Sequence, residues 1–223
     1  MTDTAHPIRT VLLLYDGCDL LDVGGPYEVL LTANRLRERD GGAAPFEVRT
    51  VAPSATVTAY GGLGLTASHL AADLDDLDDL DDLDDLDDLD LLVIPGLVDL
   101  DTALADRDLL ALIAELADRT EVVASVCTGA FLLAAAGLLR GRRATTHHED
   151  TALLRSRDDV GEVVDDVRWV DDGDIVTAAG LSSGLALGLH LVDRFADRDL
   201  ALATARQLEH EWDPDPARSV TCS

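Results

Sequence analysis

The sequence predicts an α/β protein built on a doubly wound, mostly parallel sheet with helices on both faces. Short apolar runs without alternation are typical of strands buried on both faces, and they alternate along the chain with segments of helical periodicity. Strands that alternate with helices favour a parallel sheet covered by helices. A chain of 223 residues can bury one large core, so we expect a single domain over residues 1–223.

The individual elements follow from local patterns. Val11–Tyr15 is a short apolar run and the first expected strand, and Gly25-Pro26 is expected to open the first helix, since proline is favoured at the first helical position. The other expected elements are strands at Phe46–Val51, Leu91–Ile94, Glu121–Val126 and Arg143–Thr146, a hairpin of Val167–Val170 with Asp174–Ala178, and helices at Leu104–Leu116, Thr128–Leu139, Ser183–Phe195 and Leu200–Glu211.

The charge of the chain is strongly one-sided. Its 17 basic residues are all arginine and face 44 acidic residues, which gives a net charge of −27 at pH 7. Such a surface repels phosphate groups, so nucleic acid is not expected as a partner. Self-repulsion of this size is relieved by screening in concentrated salt. The composition is therefore similar to that of proteins from extreme halophiles.

The location of the protein is expected to be cytoplasmic. Three cysteines cannot form a complete disulfide framework, and reduced thiols are the rule in the cytosol. No run of eighteen uncharged apolar residues is present to predict a membrane span, and the first residues lack the layout of a signal peptide. No membrane partner is expected.

Residues 73–90 repeat Leu-Asp-Asp with almost no deviation. A period of three does not keep leucine on one helical face, because each leucine turns about 60° from the last at 100° per residue. Binding of cations and a solvated, repeat-expanded loop are both open, and the loop is favoured because calcium loops need glycine and staggered ligands. The repeat is expected to bulge as an insertion.

The segment around Cys127 carries the sharpest chemical signal. An apolar run of β-branched character ends at Cys127, and a helix rich in alanine and leucine begins at once, as in a strand–nucleophile–helix elbow. The amides at the start of that helix are expected to lower the pKa of the thiol. A buried structural cysteine is the alternative, but its place at an elbow favours a reactive residue.

A nucleophile needs a group that moves its proton, and two candidates occur. Asp22 lies between the first strand and the first helix, at the carboxyl edge of the sheet, although it could simply cap the helix. His147 follows the short strand Arg143–Thr146, where a solvated loop histidine is the simpler interpretation. Neither choice is settled by the residues alone.

Four blocks of sequence resemble a known family. They are residues 20–30 (LLDVGGPYEVL), 91–96 (LLVIPG), 125–129 (SVCTG) with 135–147 (AAGLLRGRRATTH), and 177–184 (TAAGLSSG). These blocks resemble the ThiJ/PfpI superfamily, with its flavodoxin-like, class I glutamine-amidotransferase-like fold. Within it, the chain is most similar to isocyanide hydratases and to the sensor domains of AraC-type regulators.

The resemblance implies roles for particular residues. Cys127 would be the nucleophile, Asp22 would hydrogen-bond the thiol and shuttle a proton, and Thr128 would assist beside it. The backbone amides of Thr128 and Leu97 would form an oxyanion hole, with Gly96 and His147 as site neighbours. Leu97 replaces the second glycine of the family's usual Pro-Gly-Gly turn, where a positive φ would cost about 1–2 kcal/mol.

The activity that the resemblance implies needs neither a metal nor an organic cofactor. An isocyanide, a small-molecule electrophile, would be hydrated to an N-formamide through a thioimidate on Cys127, and the protein would form a homodimer. Amidase, peptidase or glyoxalase-like chemistry is an alternative within the superfamily, although Thr128 argues against the peptidases, which carry histidine after the cysteine. A ligand or redox sensor is the non-enzymatic alternative; DNA binding is not expected of so acidic a chain.

Overall fold

A computed structural model of the chain describes residues 6–74 and 89–216. Within them, seven strands form the central sheet, and four short strands form two separate pairs. The strands in chain order are β1 (Ile8–Leu13), β2 (Phe46–Ala52), β3 (Thr56–Thr58), β4 (Gly64–Thr66), β5 (His69–Leu70), β6 (Leu89–Ile94), β7 (Thr120–Val126), β8 (Arg143–Ala144), β9 (Glu162–Val163), β10 (Trp169–Asp171) and β11 (Ile175–Ala178).

The central sheet has the strand order β10-β11-β7-β6-β1-β2-β5. Every neighbouring pair in it is parallel except β10 with β11, which form the antiparallel hairpin at one edge. The expected strands fall in this sheet, apart from Arg143–Thr146, which pairs outside it as β8 with β9. The prediction of a mostly parallel α/β sheet is therefore confirmed.

The described residues form seven helices, of which all but one cover the central sheet in two layers. The seven are α1 (Leu20–Arg39), α2 (Leu100–Ala105), α3 (Arg107–Asp118), α4 (Gly129–Ala135), α5 (Thr151–Arg155), α6 (Ser183–Phe195) and α7 (Arg198–Gln207), and α5 is the exception. Helices α1, α6 and α7 pack together, and α2, α3 and α4 pack together separately. Glycines allow the closest contact in the first layer, since a Cβ on Gly188 would lie only 2.8 Å from the Cβ of Val29. Helices thus lie on both faces.

The core is formed by the apolar strands at the centre of the sheet. The last four residues of β1 and of β6 are all buried, as are the last five residues of β7. Continuous burial without alternation is what a parallel strand covered on both faces requires. The carboxyl ends of these three strands meet at one edge of the sheet, where open α/β folds bind their ligands.

The first helix begins earlier than the sequence predicts. Helix α1 starts at Leu20, so Pro26 lies inside it and not at its first position. Two preceding glycines do not stop the helix, and its long apolar face, which includes Val29 and Leu30, is buried. As a result, Asp22 belongs to the first turn of α1, and the helix fixes the direction of its side chain. A residue in a loop would not be held in this way.

Other boundaries also differ from expectation. The helix expected at Leu104–Leu116 is two helices, because Asp106 adopts an extended backbone and caps α3 through its side chain, which accepts from the amides of Asp108 and Leu109. Helix α4 ends at Ala135, and Gly137 follows with a φ of 84°. The small elements β3, β4, β5, β9 and α5 were not predicted, since two- to five-residue segments carry too little periodicity.

The predicted bulge of the Leu-Asp-Asp repeat lies mainly outside the described residues. At its ends, Asp73 and Leu74 belong to a 3-10 turn, and Asp90 lies in β6, where its carboxylate accepts from the amide of Arg9 at 2.7 Å. In the described part of the chain, no helix is long and apolar enough to cross a membrane.

Candidate active site

Cys127 occupies a strained turn at the carboxyl end of β7. Its φ is 56°, an unusual value for a residue with a side chain, and α4 begins two residues later. Its amide lies 3.1 Å from the carbonyl oxygens of both Ala178 and Ala179, and its own carbonyl accepts from the Thr146 hydroxyl at 2.8 Å. These bonds hold the turn on both sides. Strain that the surroundings enforce in this way is typical of functional sites.

Asp22 lies beside this turn and is completely buried. Its Oδ2 accepts from the Gly96 amide at 3.0 Å, while Oδ1 has no hydrogen-bond partner that meets regular geometry among the described residues. Burial raises the pKa of Asp22 to about 7, the Gly96 amide opposes the rise, and the nearby charge of Asp19 adds to it. The Cys127 thiol lies close enough to lower that pKa slightly. Asp22 can therefore gain or lose a proton near neutral pH.

The thiol of Cys127 has the opposite shift from the one expected. Burial, followed by the charge of Asp22, raises its pKa to about 12, although the amides of Thr128 and Leu181 oppose the rise. The prediction that helix amides lower the pKa is wrong in net effect, because desolvation and one adjacent carboxylate outweigh them. At neutral pH the pair therefore holds a protonated thiol against a carboxyl group that can accept its proton.

Gly96 lies in close contact with both Asp22 and Thr128, the residue that follows Cys127. A Cβ on this residue would lie 2.7 Å from the Thr128 amide nitrogen and 2.8 Å from Asp22 Oδ2. No side chain fits in that space, so glycine is needed for the Asp22 carboxyl to meet the turn. The hydroxyl of Tyr15 donates to the carbonyl of Pro95 at 2.5 Å and so holds the Pro95–Leu97 turn in place.

The Leu97 amide is already bonded in this structure. It donates to Thr128 Oγ1 at 2.8 Å, and the same hydroxyl donates to the Leu97 carbonyl at 2.7 Å. A substrate oxygen would reach the Leu97 amide only after this hydroxyl had turned away. Leu97 is not among the described non-glycine residues with positive φ, so it fills the second glycine position without backbone strain.

Leu181 is a site residue that sequence reasoning missed. Its amide acts on the Cys127 sulfur together with that of Thr128, and its φ of 39° turns the chain between β11 and α6. The signal available in the sequence was the position of Leu181 in the fourth family block, three residues after the end of β11, which neighbours β7. A backbone amide leaves no trace in residue type, however, so the pattern alone could not select it.

His147 lies at the rim of the site and not against the thiol. Its ring packs over Gly180, where a Cβ would lie 2.0 Å from the imidazole Cδ2. Its Nδ1 is 3.6 Å from the nearer Asp150 oxygen and 3.9 Å from Glu149 Oε2. Its charge also acts on Asp19, whose pKa is raised by burial and lowered by this histidine. The structure thus surrounds His147 with acids.

The site offers no arrangement for a metal. Within residues 6–74 and 89–216, no group of three or more His, Cys, Asp or Glu side chains is placed to hold a metal ion. The chemistry that these residues can perform is nucleophilic attack by sulfur, with a buried carboxyl group to move the proton.

Comparison with known proteins places this geometry in a family. The sequence profile of the DJ-1/PfpI family matches residues 9–194, which include Asp22, the Pro95–Leu97 turn and the Cys127 elbow. The chain belongs to the DJ-1/PfpI family. The resemblance seen in the four sequence blocks is thereby confirmed.

Three relatives show how this DJ-1/PfpI chain compares with known members. It is 39% identical over 154 residues to an uncharacterised protein in the cpoL 5′ region of Streptomyces lividans, covering 69% of this chain and 97% of that one. It is 34% identical over 120 residues to an isonitrile hydratase of Pseudomonas putida, covering 54% of this chain and 51% of the hydratase. An AraC family transcriptional regulator from Pseudomonas putida superposes with a TM-score of 0.73 at 27% identity, covering 91% of this chain and 100% of that one.

Proposed function

We propose that this DJ-1/PfpI protein is a cofactor-independent cysteine enzyme that hydrates an isocyanide to an N-formamide. The observation that carries the proposal is the pairing of the Cys127 thiol with the buried Asp22 carboxyl, whose pKa is about 7. A base is most effective when its pKa lies near the working pH, so Asp22 is suited to accept the thiol proton. Similarity to an isonitrile hydratase supports the choice of substrate, although the chain matches only about half of that protein.

The proposed reaction forms and breaks one carbon–sulfur bond. The Cys127 sulfur attacks the terminal isocyanide carbon while its proton passes to Asp22, which returns it to that carbon and leaves a thioimidate. Water then adds to the thioimidate carbon and a proton passes to nitrogen. The carbon–sulfur bond breaks, the N-formamide leaves, and the thiol regains its proton through Asp22. No redox step occurs.

The two amides that act on the sulfur would stabilise the transition state. Negative charge appears on the Cys127 sulfur as its proton leaves and passes to the isocyanide as the carbon–sulfur bond forms, and the Thr128 and Leu181 amides are in place to stabilise the sulfur at the first of these stages. The Thr128 hydroxyl, engaged with both backbone groups of Leu97, would hold the turn that carries Gly96 against Asp22. The predicted oxyanion role of the Leu97 amide stays a prediction that requires this hydroxyl to move.

The test is formamide production from an aromatic isocyanide in molar KCl. The wild-type protein should produce N-formamide and Cys127→Ala should not. The rate should increase as pH rises through about 7, since Asp22 must be ionised to accept a proton. A Cys18→Ala variant is the matched control, because Cys18 is a second buried thiol. Equal rates in the wild type and Cys127→Ala would refute the proposal.

A ligand or redox sensor is the second candidate. The similarity to an AraC family regulator over most of this chain favours it. A sensor would bind an isocyanide or react with it once, without release of product. A stoichiometric isocyanide adduct on Cys127 in the mass of the intact protein, with no release of formamide, would therefore favour the sensor over the enzyme. Homodimer formation, cytoplasmic location and adaptation to high salt stay predictions in either case.

A further inference from the structure

Acidic groups dominate the electrostatics around the proposed nucleophile. Asp19 lies three residues before Asp22 at the start of α1, and its amide donates to the Gly96 carbonyl at 2.8 Å, which ties it to the site turn. Its charge acts on both Asp22 and Cys127. His147, the basic residue that acts on Asp19, is itself paired with Glu149 and Asp150. An approaching anion therefore meets negative charge that the histidine does not cancel.

Exposed apolar residues lie next to the same acids along the chain. Leu20 and Leu21 lie between Asp19 and Asp22 and are 44% and 43% exposed, and Leu181, whose amide acts on the sulfur, is 40% exposed. Single exposed leucines need no explanation, but Leu20 and Leu21 precede Asp22 in the first turn of α1, and Leu181 supplies an amide to the thiol sulfur. A partly apolar, low-dielectric approach strengthens the effect of each charge on an incoming molecule.

We propose that Asp19 is a specificity-determining residue that makes the Cys127 site select uncharged electrophiles with apolar substituents and reject anionic ones. The inference rests on the proposed role of Cys127 as nucleophile, and it names the substrate class of that site. Asp19 is the N-cap residue of α1 but makes no side-chain cap bond, so its carboxylate is not needed to begin the helix. Asp19→Asn removes one charge and keeps the shape of the side chain.

The test compares two alkylating reagents of similar size, one neutral and one anionic. Neutral iodoacetamide and anionic iodoacetate react with Cys127 at rates that can be followed from the mass of the Cys127 peptide, with N-acetylcysteine amide as the reference thiol. The ratio of the two rates is the quantity of interest. Changes in thiol ionisation affect both reagents equally and cancel in the ratio.

We expect the iodoacetate-to-iodoacetamide ratio at Cys127 to be at least about tenfold lower than on the reference thiol. Asp19→Asn should raise the ratio about fivefold, which corresponds to removing one charge at intermediate dielectric. The increase should shrink in molar KCl, since salt screens partly exposed charges. The neutral N-phenyl iodoacetamide should also react faster relative to iodoacetamide at Cys127 than on the reference thiol; the reverse order would overturn the apolar part of the proposal.

The matched control is Asp118→Asn, which changes an exposed acid at the end of α3. Asp118 lies two residues before β7 begins, at the amino ends of the strands, whereas the site lies at their carboxyl ends. This substitution removes the same net charge and should leave the ratio unchanged. An Asp19→Asn ratio equal to that of the wild type, or an equal rise in Asp118→Asn, would overturn the role of Asp19 while leaving the nucleophile intact. Failure of Cys127 to react with any of the reagents would instead overturn the proposed function, and this inference with it.

Discussion

Asp22 is a completely buried carboxyl group and Asp171 is a partly exposed one, and their surroundings shift the two pKa values in opposite directions. Asp171 ends β10, and its oxygens lie 2.8 Å from His190 Nε2 and 3.1 Å from Arg194 Nη1, with a further bond from the Gly173 amide at 3.0 Å. Burial pushes the pKa of Asp171 upward, but these partners outweigh it and hold the pKa below its usual value. Asp22 accepts one regular hydrogen bond and has a pKa of about 7.

The difference separates a structural carboxylate from one available for chemistry. Asp171 stabilises the contact between the edge hairpin and α6 because every oxygen is paired, and a fully paired carboxylate has little tendency to take up a proton. Asp22 has no positive partner among the described residues that act on it and keeps an unpaired oxygen near the Cys127 thiol. Incomplete satisfaction of a buried polar group costs stability, and groups with perturbed pKa values cluster at functional sites.

The largest expected effect is on turnover. Asp22→Asn should lower the rate of formamide production about 10²–10⁴-fold, the usual contribution of a general acid–base group, because an amide cannot accept the thiol proton. Asp171→Asn, which makes the same chemical change at the structural site, should stay within about twofold of the wild type once corrected for folded fraction. Steady-state kinetics of both variants at pH 8 check this. Wild-type turnover by Asp22→Asn would remove the distinction between the two carboxyl groups.

The same pair of variants should move stability in opposite directions. The folded-state pKa of Asp22 is above its unfolded value of 3.8, so ionised Asp22 destabilises the fold at pH 8, and the penalty disappears as pH falls below about 4. Asp22→Asn should therefore raise the free energy of unfolding at pH 8 by roughly 1–3 kcal/mol, and by much less at pH 4.

Asp171 has the opposite sign. Its folded pKa is depressed, so its contribution is present above the unfolded pKa and is lost as pH falls through the folded one. Asp171→Asn should lower the free energy of unfolding at pH 8 by about 1 kcal/mol. Urea unfolding of both variants in the same salt at two pH values measures these changes. A loss of stability in Asp22→Asn at pH 8 would contradict the view that burial of the ionised Asp22 carboxylate destabilises the fold.

How far the sequence alone could reach differs between the same two regions. The turn at Cys127 was predictable, since an abrupt change from an apolar strand to an alanine-rich helix is visible in residue types. Asp22 was only one of two candidates for the group that moves the thiol proton. Its position beside Cys127 depends on α1 beginning at Leu20, and the glycines and Pro26 that follow hide that helix start in the sequence. The raised thiol pKa depends on burial and on a residue 105 positions away (127 − 22), which no local pattern contains.

The Asp171 cluster was not predicted at all. It joins β10 to α6 through side chains on elements whose positions the sequence predicts well, but the pairing requires the hairpin register that brings Asp171 opposite Val176. His190 belongs to the helix expected at Ser183–Phe195, but no pattern in the sequence identified Asp171 as its partner. Parallel strands and helices follow from the periodicity of apolar residues, whereas contacts between polar side chains depend on register and on helix starts that vary by one turn.

The smallest expected effect compares two glycines, one in each region. Gly96→Ala would place a Cβ within 2.8 Å of Asp22 Oδ2 and 2.7 Å of the Thr128 amide, so the turn must shift and the Asp22 carboxyl must lose its place beside Cys127. Turnover should fall about tenfold or more, since small misplacements of a catalytic group are costly. Gly173, next to the structural carboxylate, has a φ of 90° and open space around it. Gly173→Ala should cost about 1 kcal/mol of stability through backbone strain and leave turnover of the folded protein unchanged. If both substitutions reduced turnover equally at equal folded fraction, the close packing at Gly96 would not be what positions Asp22, and the geometry of the proposed site would need another explanation.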